Sequence, residues 1–104
     1  MSVEPRFDEL VHAPQRLRIV AMLDPVGGLD FGVLRDALDV SDSVLSKHLK
    51  VLQDAGYATV AKVRRAGHVW TTVALTRDGR RAYAGHVAAL REIVATPDPE
   101  PPDA

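Results

Sequence analysis

The sequence predicts a mainly α-helical domain with a small β-hairpin, an α+β fold ordered helix, helix, helix, strand, strand, helix. Three observations predict it. Leucines recur at helical spacing, most clearly Leu45, Leu49 and Leu52 within SVLSKHLKVLQDAGY. The periodicity then changes after Gly56 to two β-branched runs, ATVAKVRR and HVWTTVALT, joined by Ala66-Gly67. Finally, Tyr83, Val87, Leu90 and Val94 draw one apolar stripe along a long closing helix.

The elements follow in order. PRFDELVH, 5–12, reads as a short helix, and Pro14 acts as a stop or first-turn proline before QRLRIVAML resumes over 15–23. DPVGG is a turn, and Asp30 is the expected N-cap of a helix over 31–38, with Phe31, Leu34 and Leu38 on one side. Only Asp39, Val40 and Ser41 separate it from the helix 42–55, for which Ser41 is the expected cap. A link that short makes two helices cross steeply, as in a helix-turn-helix. Gly56 suits a left-handed C-cap, Gly67 suits a tight hairpin turn, and Thr76 caps a last helix over 77–95. Residues 5–95 thus form one domain, and the acidic, proline-rich tail 96–104 is expected to be disordered.

Composition removes several classes of function. With no cysteine there is no disulfide, zinc-thiolate site or cysteine nucleophile, and 46% hydrophobic residues suffice for a modest core. No apolar run approaches the roughly 18 residues of a membrane span, and MSVEPRFDEL lacks a signal-peptide layout, so a cytoplasmic location without a membrane partner is expected. The net charge of −1 conceals a polarity: residues 1–40 carry −3, residues 41–70 carry +3, residues 71–96 carry +2 and the tail carries −3. An anionic partner is expected to meet the middle third.

The element order is that of a winged helix. Its third helix must bury the leucines and leave the opposite face free for a DNA major groove about 12 Å wide. On that face, Ser43 and Ser46 are short enough to permit close approach, while Lys47 and Lys50 reach further. Ser41 and the free N–H groups at the helix start suit phosphate. At the hairpin tip Arg64, Arg65 and His68 are expected against the DNA backbone or the adjacent minor groove.

The runs RLRIVAML, VSDSVLSKHLKVLQDAGY and LTRDGRRA, with a basic hairpin before the last, closely resemble winged helix-turn-helix transcriptional regulators of the MarR and ArsR type, in particular the short single-domain group. The resemblance spans about residues 5 to 95 and joins three separated motifs. It implies a homodimer that binds operator DNA and usually represses, with 42–55 as recognition helix, 58–75 as wing, and His48 packed or bonded inside the motif. Three departures stand out. Asp39 occupies a turn position often held by glycine, Tyr57 replaces an aliphatic residue, and the cysteines or His/acid pairs of metal-sensing relatives are missing apart from His86.

Beside the DNA reading stands a winged-helix module that binds protein instead, as fold alone does not decide function. An enzyme is not expected, because no nucleophile, acid–base pair or phosphate loop has usable spacing. No cofactor is expected either. His12, His48, His68 and His86 fall on different elements, so no metal cluster is expected, although Asp8 and His12 share i,i+4 spacing. Trp70 is expected to pack or lie partly on the surface. The stripe Tyr83, Val87, Leu90 and Val94 is expected to form a dimer interface with Phe7, Leu10 and Val11. A cleft between the first and last helices leaves room for a small-molecule effector, which no residue identifies.

Overall fold

The computed structural model describes residues 3–95; the acidic tail expected to be disordered lies outside them. Its elements are α1 (Glu9–His12), α2 (Pro14–Leu23), β1 (Leu29–Asp30), α3 (Phe31–Leu38), α4 (Asp42–Asp54), β2 (Ala58–Arg65), β3 (His68–Leu75) and α5 (Arg77–Val94). The strands form one antiparallel sheet in the order β1-β3-β2. This is the winged α+β architecture expected from the sequence. No helix among the described residues is long and apolar enough to cross a membrane.

One core unites these elements. Ile19, Val20 and Leu23 of α2 meet Leu34 and Leu38 of α3, Leu45, Leu49 and Leu52 of α4, and Ala58, Val73 and Leu75 of the sheet. All are buried, and truncating any one of the fully enclosed leucines to alanine is expected to cost about 2–5 kcal/mol.

The turn between α3 and α4 is held from both sides. Asp39 takes the left-handed conformation, φ 55°, which a short polar side chain tolerates in place of glycine. Its N–H and that of Val40 return to the carbonyls of Asp36 and Arg35, each at 3.3 Å. The Arg35 guanidinium then reaches Asp36 at 2.9 Å and Asp42 at 3.1 Å, and these two carboxylates, Asp36 first, raise its already high pKa. At the start of α4 the Ser41 hydroxyl accepts the Val44 N–H at 3.2 Å, as expected of an N-cap.

Three expectations need correction. Residues 5–7 are not helical: Asp8 caps α1 by accepting the Val11 N–H, and the Arg6 N–H donates to the Gly85 carbonyl at 2.9 Å, so this stretch is an arm laid on α5. Asp30 does stand at the N-cap position of α3, but its carboxylate makes no cap bond and is taken by Arg65. The short strand β1, paired as Leu29↔Val73 and Asp30↔Thr72, was not expected at all; two residues carry too little periodicity to be seen.

The histidines also meet where the sequence suggested they would stay apart. The Asp8 N–H donates to His86 Nδ1 at 3.0 Å, and His86 Nε2 lies 3.1 Å from His12 Nδ1. Because His86 Nδ1 accepts, its proton must be on Nε2, directed at His12. Phe7 packs on both rings, 4.8 Å from His12 and 4.7 Å from His86. His86 is 0% exposed, and burial, then the neighbouring His12, lowers its pKa against the opposing pull of Asp8. Burial acts to raise the Asp8 pKa, but the Tyr57 hydroxyl at 2.7 Å and the Val11 and Leu10 amides outweigh it, leaving the carboxyl lowered.

The entry to α5 is equally constrained. Thr76 caps it through the Gly79 N–H at 3.0 Å, donates its own hydroxyl to the Gly56 carbonyl at 2.6 Å, and sends its N–H to the Tyr57 carbonyl at 3.0 Å. A Cβ on Gly79 would run into the Tyr57 carbonyl group, which is backbone and cannot turn aside.

Two outcomes are expected. Gly79→Ala should destabilise the domain by about 3 kcal/mol in urea unfolding, while Gly27→Ala, whose Cβ meets nothing within 4 Å, should be close to neutral; equal midpoints would disprove the close packing. Burial lowers the His86 pKa in the fold, so the unfolded chain binds more protons as pH falls through its ordinary pKa of 6.5 and stability should rise with pH there. Thermal midpoints should therefore fall between about pH 7 and about pH 5, and His86→Gln, which cannot titrate, should flatten that fall.

Candidate nucleic-acid interface

The leucine face of α4 is buried, so 3.6-residue geometry turns Ser43, Ser46, Lys47 and Lys50 outward, and all four are exposed. They border a shallow depression with Asp42 and Val51. Both acids of the helix are already engaged. Asp42 pairs with Arg35, and Asp54 pairs with Lys50 at 3.1 Å across one turn. An exposed i,i+4 pair is worth only about 0.3–0.5 kcal/mol, so a phosphate can readily displace Asp54. Lys47 makes no ion pair among the described residues. At the helix start, the Ser41 and Ser43 hydroxyls lie 3.2 Å apart beside free backbone N–H groups.

The hairpin divides its cations between two faces. Ala58, Val60, Val73 and Leu75 turn toward the helices, so strand alternation places Lys62 and Arg64 on that same side, opposite Thr71 and Val69. A groove of about 350 Å³ separates this face from α4, lined by Phe31, Asp42, Ser46, Leu49, Gln53, Val60 and Thr71. Lys62 and Arg64 do not line it but follow Val60 along the same strand face. Arg65 and His68, paired across the hairpin, lie on the opposite face. There the Arg65 guanidinium crosses the Trp70 ring at 5.0 Å from its centroid and ends on Asp30 at 2.8 Å. Trp70 is a partly exposed aromatic, as expected.

The tip residues grouped by sequence are thus separated by structure. Lys62 was overlooked, although the alternation beginning at Ala58 and Val60 was a signal sufficient to find it. The turn itself has positive φ at both Ala66 (49°) and Gly67 (80°), as a type I′ hairpin requires.

His48 is half-buried on the flank of α4, with its Nδ1 3.3 Å from Arg16 Nη1. Arg16 also donates to the Leu10 carbonyl at 2.7 Å, so one guanidinium joins α1 to α4. Burial, then Arg16 and Lys47, lowers the His48 pKa.

The residues expected at a dimer interface grade from inside to outside. Val11 is wholly enclosed within the chain, so it cannot meet a partner directly; Leu10 and Tyr83 pack partly against the core. Val87 and Leu90 are half-buried, Phe7 is exposed, and Val94 is 79% exposed. Beside them a cleft of about 560 Å³ runs between the N-terminal arm, Tyr57 and α5, bordered by Arg6, Asp8, Asp78 and Arg81. Among the described residues no group of three or more His, Asp or Glu side chains is placed to hold a metal ion.

With this geometry in view, comparisons with known proteins agree. A family model described as a winged helix DNA-binding domain matches residues 15–94. An uncharacterised protein of Methanocaldococcus jannaschii is 28% identical over 78 residues, covering 75% of this chain and 85% of that one. Among solved structures, a transcriptional regulator homologue from Pyrococcus horikoshii superposes with a TM-score of 0.79 at 25% identity, covering 84% of this chain and 86% of that chain. HlyU from Vibrio cholerae superposes with a TM-score of 0.60 at 27% identity, over 79% and 84% of the two chains. The chain, matched over residues 15–94, belongs to the winged helix DNA-binding domain family.

Proposed function

We propose that this chain is a cytoplasmic, homodimeric regulator of transcription that represses by occupying a pseudo-palindromic operator. The observation that carries the reading is the exposed face of α4, with its acids paired off and Lys62 and Arg64 on the same strand face as Val60, which lines the adjoining groove. Ser43, Ser46, Lys47 and Lys50 enter the major groove, Ser41 and the α4 N-terminus meet phosphate, and Lys62 and Arg64 follow the neighbouring backbone, with His68 near the tip. The regulator homologue from Pyrococcus horikoshii supports a role in transcription.

Dimerisation is assigned to α5 and the N-terminal arm. The exposed apolar end of α5, with Ile93 and Val94, continues the half-buried Val87 and Leu90, and Phe7 lies on the same side of the fold through its packing on His86. Two copies joined there would present their α4 helices to successive major grooves, roughly 34 Å apart. The cleft beside the arm is the natural place for a small-molecule effector. The reading assigns no catalytic step and no cofactor.

A fluorescence-polarisation titration tests it, with the upstream DNA of the protein's own gene and a scrambled duplex at several salt concentrations. Tighter binding to the upstream fragment at two chains per duplex is expected, with a log–log salt slope of about −0.9 per neutralised phosphate. Lys47→Gln and Arg64→Gln should each flatten that slope by about one unit. Val94→Glu should yield a folded monomer in sedimentation and weaken binding. Equal, salt-erased binding to both duplexes would sink the operator reading.

A further inference from the structure

The outer half of the hairpin has little to hold it. β1 supports β3 only at Val73 and Thr72, and residues 61–70 are all exposed. A two-stranded ribbon without a packed face is marginal and twists freely, so its tip has no fixed direction of its own. Among the described residues, a single side-chain bond returns from this half of the hairpin to the body: Arg65 Nη2 to Asp30 Oδ1 at 2.8 Å.

Each partner in that contact is otherwise uncommitted. Asp30 stands at the N-cap position of α3 without capping it, so the helix dipole favours its charge while its oxygens remain available. Trp70, 43% exposed, forms the floor, with the guanidinium 5.0 Å from the ring centroid. Arg65 is thereby anchored on the face that turns away from α4, while Lys62 and Arg64 hold the face toward it.

Resting on the reading that the wing meets DNA, we propose that Arg65 is a positioning residue, not a phosphate ligand: laid over Trp70 and fixed on Asp30, it sets the wing's direction so that Lys62 and Arg64 face the groove beside α4. The contact joins the wing tip to the residue that immediately precedes α3. Fixing the tip in advance spares the ordering of a mobile ribbon on binding, which is how preorganisation raises affinity.

The test uses the full chain with Asp30→Asn, Arg65→Gln and the double variant. As Trp70 is the one tryptophan, its emission reports the contact directly. Both single variants should shift it to longer wavelength and increase acrylamide quenching, and the double variant should add nothing further. All three should bind operator DNA about fivefold more weakly than wild type, with the salt slope unchanged and melting midpoints close to wild type. Lys62→Gln and Arg64→Gln should instead flatten the slope by about one unit. A phosphate-binding Arg65 predicts the opposite pattern, with Arg65→Gln flattening the slope and Asp30→Asn binding as well as wild type or better; that result overturns the proposal. So does an affinity unchanged in all three variants. Failure of the parent reading appears separately, as wild-type protein that binds neither operator nor scrambled duplex; it removes the positioning role too, while Trp70 emission still reports the contact itself.

Discussion

Everything in this fold depends on α4 being buried on one side only. Leu45, Leu49 and Leu52 supply much of the centre of the core, so the helix cannot leave the body without dismantling it. Yet the same helix presents Ser43, Ser46, Lys47 and Lys50 to solvent. These demands are compatible because a period of 3.6 residues separates the two faces. The remaining elements hold that helix at both ends: Arg35 and the left-handed Asp39 secure its start, and Gly56, Tyr57 and Thr76 secure its finish.

Charge is arranged on the same principle. The chain as a whole is slightly acidic, and a DNA-facing surface needs its acids removed or occupied. Asp42 is occupied by Arg35, Asp54 by Lys50 and Asp30 by Arg65. None of these exposed pairs contributes much stability, since desolvation and side-chain entropy offset most of the Coulomb attraction. Their consequence is local: carboxylates that would repel phosphate are already paired, and among the described residues Lys47, Lys62 and Arg64 make no ion pair.

Most of the fold was legible in the sequence because its signals are local. Periodicity marked the helices, Ser41 and Thr76 marked their starts, and Ala66-Gly67 marked the hairpin turn. The α4 side of the candidate site was legible for the same reason. What escaped depends on contacts between residues distant in the chain. Asp30 looked like a cap because its local setting is that of a cap, and only the sheet brings Arg65 within reach. His12 and His86 lie on elements 74 residues apart, and the arm that unites them begins with residues whose pattern alone resembled helix. Lys62 was legible in principle; reading the hairpin tip as one basic cluster obscured the alternation that separates Lys62 and Arg64 from Arg65.

The network at the other end of α4 gives the proposed dimer its geometry. Tyr57, two residues after the α4 C-cap Ala55, donates its hydroxyl to Asp8, whose backbone N–H in turn holds His86 on α5. The Tyr57 carbonyl also receives the first N–H of the α5 cap, against which Gly79 packs. The end of α4, proposed to face DNA, and the start of α5, proposed to pair two copies, are therefore both held by Tyr57. A separation of about 34 Å between two recognition helices demands that each be fixed relative to the axis that pairs them. Flexible linkage would leave the second α4 to find its groove by chance, whereas the hydrogen bonds that Asp8 makes to His86 and accepts from Tyr57, with the close packing of Gly79 on the Tyr57 carbonyl, allow little play. In the proposed dimer, the residues that hold the start of α5 would thus also fix the spacing of the two α4 helices.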